Sequence, residues 1–164
     1  MTTPTALEDP RVTLLALLSA GWTPANTPTV GTPEFSTSWG GENDNLRPVV
    51  TVTDRNDTPT ASRGYSSIRG DGSGVNARKR GFVMVNCWSE TVEKGTVASS
   101  SNPKQEAKEM WAEVERIVLA NFSGTGALEM LRTEGPSSAE ETTATGKIVR
   151  LFGRIEYEYE LTPA

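Results

Sequence analysis

Apolar residues recur with helical spacing in the middle of the chain. Their positions are Ala107, Met110, Trp111, Val114, Ile117, Val118 and Phe122. Intervals of three and four residues place them in one stripe of a 3.6-residue helix. Asn102 is a candidate N-cap, Pro103 suits the first helical position, and Gln105 completes a capping box. The pattern predicts a helix over 102–122. Its solvent face is predicted to carry Glu106, Glu109, Glu113 and Arg116.

A short apolar run precedes this helix. Residues 82–88 read Phe-Val-Met-Val-Asn-Cys-Trp, with apolar groups at both alternating positions. Such a run favours a strand that is buried on both faces, and the helix would lie across its sheet. Cys87 is the single cysteine of the chain, which excludes an internal disulfide. Its place in this strand indicates packing, and not a reactive thiol.

The closing segment alternates between apolar and charged residues. Over 149–161 the odd positions are apolar or glycine, and most even positions are charged. Period-two alternation predicts a half-exposed strand, which either bends at Gly153 or projects beyond its sheet. Glu156, Glu158 and Glu160 share one face. They form a solvated face, discourage edge pairing, or make an acidic strip that meets a basic partner surface.

The first third of the chain predicts a second helix. Asp9 is its candidate cap, Pro10 occupies the first turn, and Gly21 ends it. Its packing face on the sheet is predicted to carry Val12, Leu14, Leu15, Leu17 and Leu18. Residues 1–8 are expected to be loose.

Three aromatic residues, Trp22, Phe35 and Trp39, punctuate a Thr-, Pro- and Gly-rich segment over 22–47. They either pin this loop over the core or form a partner-binding patch. Residues 35–39 fit a short edge strand.

Residues 48–53 predict a strand, with a turn at 54–57. Residues 126–134 fit a strand or a helical turn, and residues 135–145 an acidic loop. The whole chain, 1–164, is predicted to form a single α+β domain. It has a mixed or antiparallel sheet of about four strands, two helices packed on that sheet, and a long β–β loop over 55–80.

That loop has an unusual charge. It contains two acids, and its six cations are Arg55, Arg63, Arg69, Arg78, Lys79 and Arg80. Loops of this length are functional or disordered. The segment is therefore either a solvated mobile loop or one that orders against a negative partner or a neighbouring subunit.

The composition of the chain limits the classes of function that it can have. The net charge is −5, which argues against a general nucleic-acid binder. The chain has no histidine and one cysteine, which removes zinc sites of N/S type and the commonest general base. We expect no enzyme, no cofactor and no metal. No apolar run reaches transmembrane length and no signal peptide is recognisable, so no membrane role is expected. The low apolar fraction, 35%, predicts a modest core supplemented by oligomerisation.

The predicted order of elements resembles the tail terminator (tail completion, or neck) proteins of long-tailed viruses. The resemblance spans roughly residues 8–161 as a pattern. It rests on the opening Asp9-Pro10-Arg11-Val12 with its short helix, the strands at 48–53 and 81–88, the helix at 102–122, and the closing strand at 149–161. The loop at 55–80 is richer in Gly and Arg than the pattern implies.

The resemblance implies a sheet with helices on one side and a homohexameric ring. Such a ring closes the tail tube and joins the tail to the head connector. The partners would be the tail tube protein, head–tail connector or adaptor proteins, and passing genomic DNA, contacted without sequence preference. The protein would lie in the neck of the virion after assembly in the host cytoplasm. The six cations would then lie at subunit interfaces or in the DNA lumen, and the three glutamates would face a partner.

Other functions remain open. The chain fits a head-completion adaptor or stopper on the portal. Less well, it fits a nucleic-acid-binding module that uses the 55–80 loop, or a small carboxylate enzyme. Arginine exceeds lysine, which fits a GC-rich bacterial or halophilic archaeal host.

Overall fold

A computed structural model describes residues 9–37, 48–59, 77–90, 102–143 and 146–161, with the backbone alone at 57–59, 77–79, 143 and 160–161. The helices are α1 (Pro10–Gly21) and α2 (Pro103–Ala120), with a 3-10 turn at Pro24–Asn26. The strands are β1 (Glu34–Ser36), β2 (Val49–Pro59), β3 (Ala77–Glu90), β4 (Glu129–Thr143) and β5 (Gly146–Leu161). The α+β class is confirmed, and the sheet has five strands in place of about four.

The strands form a mixed sheet in the order β1-β2-β3-β5-β4. β1 is parallel to β2, and every other neighbouring pair is antiparallel. α1 packs on β2, and α2 packs on β3, β5 and β4. The core lies between this helical layer and one face of the sheet. Its largest fully buried side chains include Tyr157, Leu14, Leu18, Met110 and Ile117.

The start of α1 matches the prediction. The side chain of Asp9 accepts a hydrogen bond from the Arg11 backbone N–H at 3.0 Å, and Pro10 opens the helix. Leu14 and Leu18 are fully buried, but Val12 is 47% exposed. Its predicted place in the packing face is wrong, because this side of α1 faces away from β2.

α2 also begins as predicted, and the Asn102 side chain accepts a hydrogen bond from the Gln105 N–H at 3.2 Å. Two predictions about its faces are wrong. Phe122 lies beyond the end of the helix and is 59% exposed. Glu106 and Glu113 are buried, since Ser89 of β3 and the segment after α1 cover them and donate hydrogen bonds.

β3 is covered on one face. Its odd-numbered residues Val83, Val85 and Cys87 are buried beneath the helices. Burial raises the pKa of the Cys87 thiol, in agreement with its predicted packing role. The even-numbered residues Phe82 and Met84 are half-buried on the side that lacks a helical layer. Full burial on both faces was therefore a wrong prediction.

The predicted turn at 54–57 is wrong. β2 passes through it with a register shift between Thr53 and Asn56, and Asp54 takes the left-handed conformation with φ 50°. The β2–β3 pairing continues to Pro59 opposite Lys79. Both ends of the basic segment are therefore strands. Residues 60–76, and residues 1–8 with their predicted loose conformation, lie outside the described residues.

The predicted acidic loop at 135–145 is also wrong. Residues 129–143 form β4, an outer strand of the sheet that pairs along β5. Most side chains from 132 to 142 are exposed, so no apolar alternation marks the strand. Backbone pairing with β5, which continues to Thr143 opposite Gly146, stabilises it.

β5 confirms the strongest strand prediction and places it in the interior of the sheet. It pairs with β3 along its length, so it neither projects beyond the sheet nor needs to discourage edge pairing. Gly153 has a packing role: a Cβ there would collide with the Trp111 ring.

The aromatic segment after α1 is pinned to the core. Trp22 is 8% exposed and meets Phe35 edge-on, with ring centroids 5.4 Å apart. The Trp22 indole N–H donates to the Gly31 carbonyl at 3.0 Å. This confirms the pinning interpretation for these two aromatics; Trp39 lies outside the described residues.

Candidate assembly surfaces

The sheet face turned away from the helices, here called the open face, carries a ladder of ion pairs. Arg80 of β3 contacts Glu158 of β5 at 2.9 Å, and Arg154 of β5 contacts Glu134 of β4 at 3.0 Å. A third pair joins Arg132 of β4 to Glu156 of β5. Each pair joins residues directly opposite in the strand register. Such pairs stabilise a sheet by about 0.2–1 kcal/mol each.

This ladder brings part of the predicted basic set against the predicted acidic strip within one subunit. Arg80 and Glu158 are paired, and the backbones of Arg78 and Glu160 face each other in the register. The Lys79 backbone faces Tyr159. Their proposed contacts with neighbouring subunits or DNA stay predictions.

The remaining predicted cations lie elsewhere. Arg55 is exposed on β2, near enough to the start of α1 for its charge to act on Asp9 and Arg11. Arg63 and Arg69 lie outside the described residues. Of the predicted cations whose side chains are described, Arg80 is paired on the open face and Arg55 acts on the start of α1.

Aromatic rings and arginines share the open face. The Arg154 guanidinium carbon lies 4.8 Å from the Phe82 ring centroid. That of Arg150 lies 4.4 Å from Phe152 and 5.1 Å from Trp88. The sequence analysis missed these arginines, although their alternation with apolar residues in the closing strand placed both on its solvent-facing side.

A second surface is apolar. Leu119 is 74% exposed, Phe122 59% and Met130 56%. Leu119 and Phe122 lie together, because the Phe122 N–H donates to the Leu119 carbonyl at 3.3 Å. Met130 lies apart from them on the open face, where it lines a cavity with Arg80, Arg132 and Glu158. We call Leu119 and Phe122 the apolar corner. Large apolar side chains grouped in this way mark interaction surfaces.

The outer side of α1 extends this surface. It exposes Val12, Ala16, Ser19 and Ala20, and no charged residue follows Arg11 in the helix. A helix that faces water normally carries charge on that side. The end of α1 meets α2, since the Arg116 guanidinium donates to the Gly21 carbonyl at 2.8 Å. The uncharged side of α1 and the apolar corner therefore lie at adjoining ends of the two helices.

The described residues show no group of three or more Asp, Glu and Cys side chains that could hold a metal ion. Neither α1 nor α2 combines the length and apolar character that a membrane crossing requires.

Comparison with known proteins finds matches among solved structures. No protein-family model and no curated protein sequence matches this chain. Among solved structures, the fold is similar to a chain from a structure described as "Virion of native gene transfer agent (GTA) particle". The identity is 15% and the TM-score 0.49, with 90% of this chain and 93% of that chain covered. A likeness at this level assigns no family.

Proposed function

We propose that this chain is a structural virion protein of a long-tailed virus. It closes the tail tube and joins the tail to the head connector as a homohexameric ring in the neck. One observation carries the proposal: the sheet has helices on one face, as the resemblance implies, and the helical layer leaves Leu119 and Phe122 exposed to solvent.

A ring needs two different, complementary surfaces on each subunit. The apolar corner and the adjoining side of α1 supply one, because covering them removes apolar area from water at about 25 cal/mol per Å². The charged open face supplies a surface of another character. Tail tube and connector proteins are the proposed neighbours above and below the ring.

The charge of the open face bears on where DNA passes. Arg80, Arg132 and Arg154 are each paired with a glutamate. Three neutralised guanidiniums offer little to a polyanion. We therefore assign non-specific DNA contacts to the basic segment between β2 and β3, with Arg63 and Arg69 as the named candidates.

The ring is tested by native mass spectrometry of the purified protein and by electron microscopy of virions. We expect six copies in the neck. The double variant Leu119→Asp, Phe122→Asp should give monomers that melt near the wild-type temperature. Lys108→Asp is the matched control, an exposed position on the same helix, and should still form rings.

Twelve copies at the portal would instead favour the adaptor. A wild-type monomer with no place in any particle would refute the proposal, as would rings that are unaffected by the double variant.

A further inference from the structure

Arg150 of β5 is held in a fixed position on the open face. Its Nε and Nη2 donate to the side-chain oxygen of Asn86, at 2.8 and 2.5 Å. The guanidinium also lies against the rings of Phe152 and Trp88. Hydrogen bonds on one edge and rings at its faces fix the orientation of this planar group.

The groups that hold Arg150 are themselves anchored. Asn86 is 3% exposed, and its amide nitrogen donates to the hydroxyls of Thr51 and Thr53, at 3.2 Å each. The Trp88 indole N–H donates to the Thr51 hydroxyl at 3.2 Å. The guanidinium is thus preorganised by a network that needs no ligand, and preorganisation reduces the entropic cost of binding.

Arg150 differs from the other open-face arginines in its charge balance. Arg80, Arg132 and Arg154 each contact a carboxylate, whereas among the described residues no carboxylate lies within 4.0 Å of Arg150. A cavity of about 310 Å³ adjoins it. The cavity is lined by Trp88, Ala139, Glu140, Glu141, Ile148 and Arg150.

We propose that this cavity binds a carboxylate side chain carried on an apolar segment of a neighbouring protein. The guanidinium N–H groups not used by Asn86 match the oxygens of a carboxylate. Trp88 and Ile148 supply an apolar wall for the adjacent residue. Trp and Arg are the residue types in which interface binding energy concentrates.

The rim of the cavity selects a single carboxylate over a nucleic acid. Glu140 is neutralised by Lys147 at 2.7 Å and Lys104 at 3.6 Å. Glu141 has no ion pair among the described residues and lies beside Arg150 in the lining. A duplex carries about one negative charge per 1.7 Å and would place phosphates near Glu141.

The identification of the partner as a virion protein rests on the proposed function, but the binding site does not. The test is therefore made on the isolated chain, with ¹⁵N NMR of the Trp88 indole N–H and the Arg150 Nε–H. The probe is N-acetyl-leucyl-glutamyl-amide, and the glutaminyl analogue is its matched control. We expect saturable shifts with the glutamyl probe alone.

Three variants sharpen the test. Arg150→Gln should raise the dissociation constant of the glutamyl probe at least about tenfold, because a charged hydrogen bond is lost. Glu141→Gln should lower the dissociation constant of the glutamyl probe about threefold, because a like charge is removed. Arg132→Gln, an arginine of the same face with a carboxylate partner, should leave it unchanged. Glu141→Gln keeps the proposal testable if Arg150→Gln does not fold.

Equal shifts with both probes would overturn the proposal in favour of a merely apolar pocket. Absence of shifts at the solubility limit of the glutamyl probe would overturn it outright. Tighter binding of a short DNA duplex, lost in Arg150→Gln, would replace it with a nucleic-acid site. A monomer that binds the glutamyl probe as expected leaves the ring proposal to its own test. The binding-site proposal and the ring proposal can therefore fail independently.

Discussion

Glu113 of α2 accepts a hydrogen bond from the backbone N–H of Thr23, 90 residues earlier, at 2.9 Å. Its other oxygen accepts from the Asn26 amide at 3.0 Å. Arg116 completes the site with contacts at 2.6 and 2.9 Å, and also reaches the Gly21 carbonyl. A single carboxylate thus joins the segment after α1 to the second helix.

Glu113→Ala is expected to lower the free energy of unfolding by about 2–3 kcal/mol, because donors to a charged acceptor lose their partner. Urea denaturation measures the change. Lys108→Ala, an exposed position on the same helix, should stay within about 0.5 kcal/mol of wild type. Similar effects of the two substitutions would show that Glu113 does not stabilise the fold in this way.

The carboxylate of Glu113 also makes the free energy of unfolding depend on pH. Burial by itself would raise the pKa of Glu113, but hydrogen bonds from Arg116, Thr23 and Asn26 outweigh it, and the pKa lies below the ordinary 4.5. A lowered folded-state pKa means that the stabilisation is complete above pH 4.5 and is lost as the pH falls through the lowered pKa.

We therefore expect the difference in unfolding free energy between wild type and Glu113→Gln to shrink as the pH falls below 4.5. Denaturation midpoints across that range measure it. Subtracting the variant removes the contribution of other acids with lowered pKa values, such as Glu134 and Glu140. A constant difference at all pH values would contradict this assignment.

The buried glutamates also show what the sequence could not predict. The 3.6-residue period located α2 and its cap correctly, since helix formation depends on local spacing. It gave no information about Glu106 and Glu113, which are covered by Ser89 and by the segment after α1. Which charged residues become buried depends on distant segments that supply donors.

β4 shows a second reason. Its side chains are mostly exposed, so neither face produces an apolar alternation. It is a strand because the well-patterned β5 provides a backbone partner. The open-face pairs share this origin: Arg80 and Glu158 are 78 positions apart, and only the β3–β5 register brings them together. Both charge groups can be recognised from the sequence, but their pairing cannot.

Gly153 provides a further prediction about packing. A Cβ at this position would collide with the Trp111 ring and with the Glu134 carbonyl. Gly153→Ala should lower the free energy of unfolding by about 2–3 kcal/mol, the usual cost of overpacking.

The matched control for Gly153→Ala is Gly31→Ala. Gly31 has φ +70° and no atom within 4 Å of the added Cβ, so it isolates the backbone cost of about 1–2 kcal/mol. Chemical denaturation compares the two. If Gly31→Ala is the more damaging, then α2 does not pack on β5 as closely as described.

The Arg80–Glu158 pair provides the last prediction, which bears on assembly. The side chain of Arg80 is 42% exposed and that of Glu158 is 17% exposed, so solvent reaches the pair mainly at the arginine. A double-mutant cycle with Arg80→Gln and Glu158→Gln on the monomer should give a coupling energy of about 0.5–1 kcal/mol. The coupling should decrease in high salt, because the pair is partly exposed. Arg80 with Glu156, which faces Phe82 in the register, is the control and should couple weakly. A coupling that is absent in the monomer and appears in the ring would instead assign Arg80 to a glutamate of the next subunit.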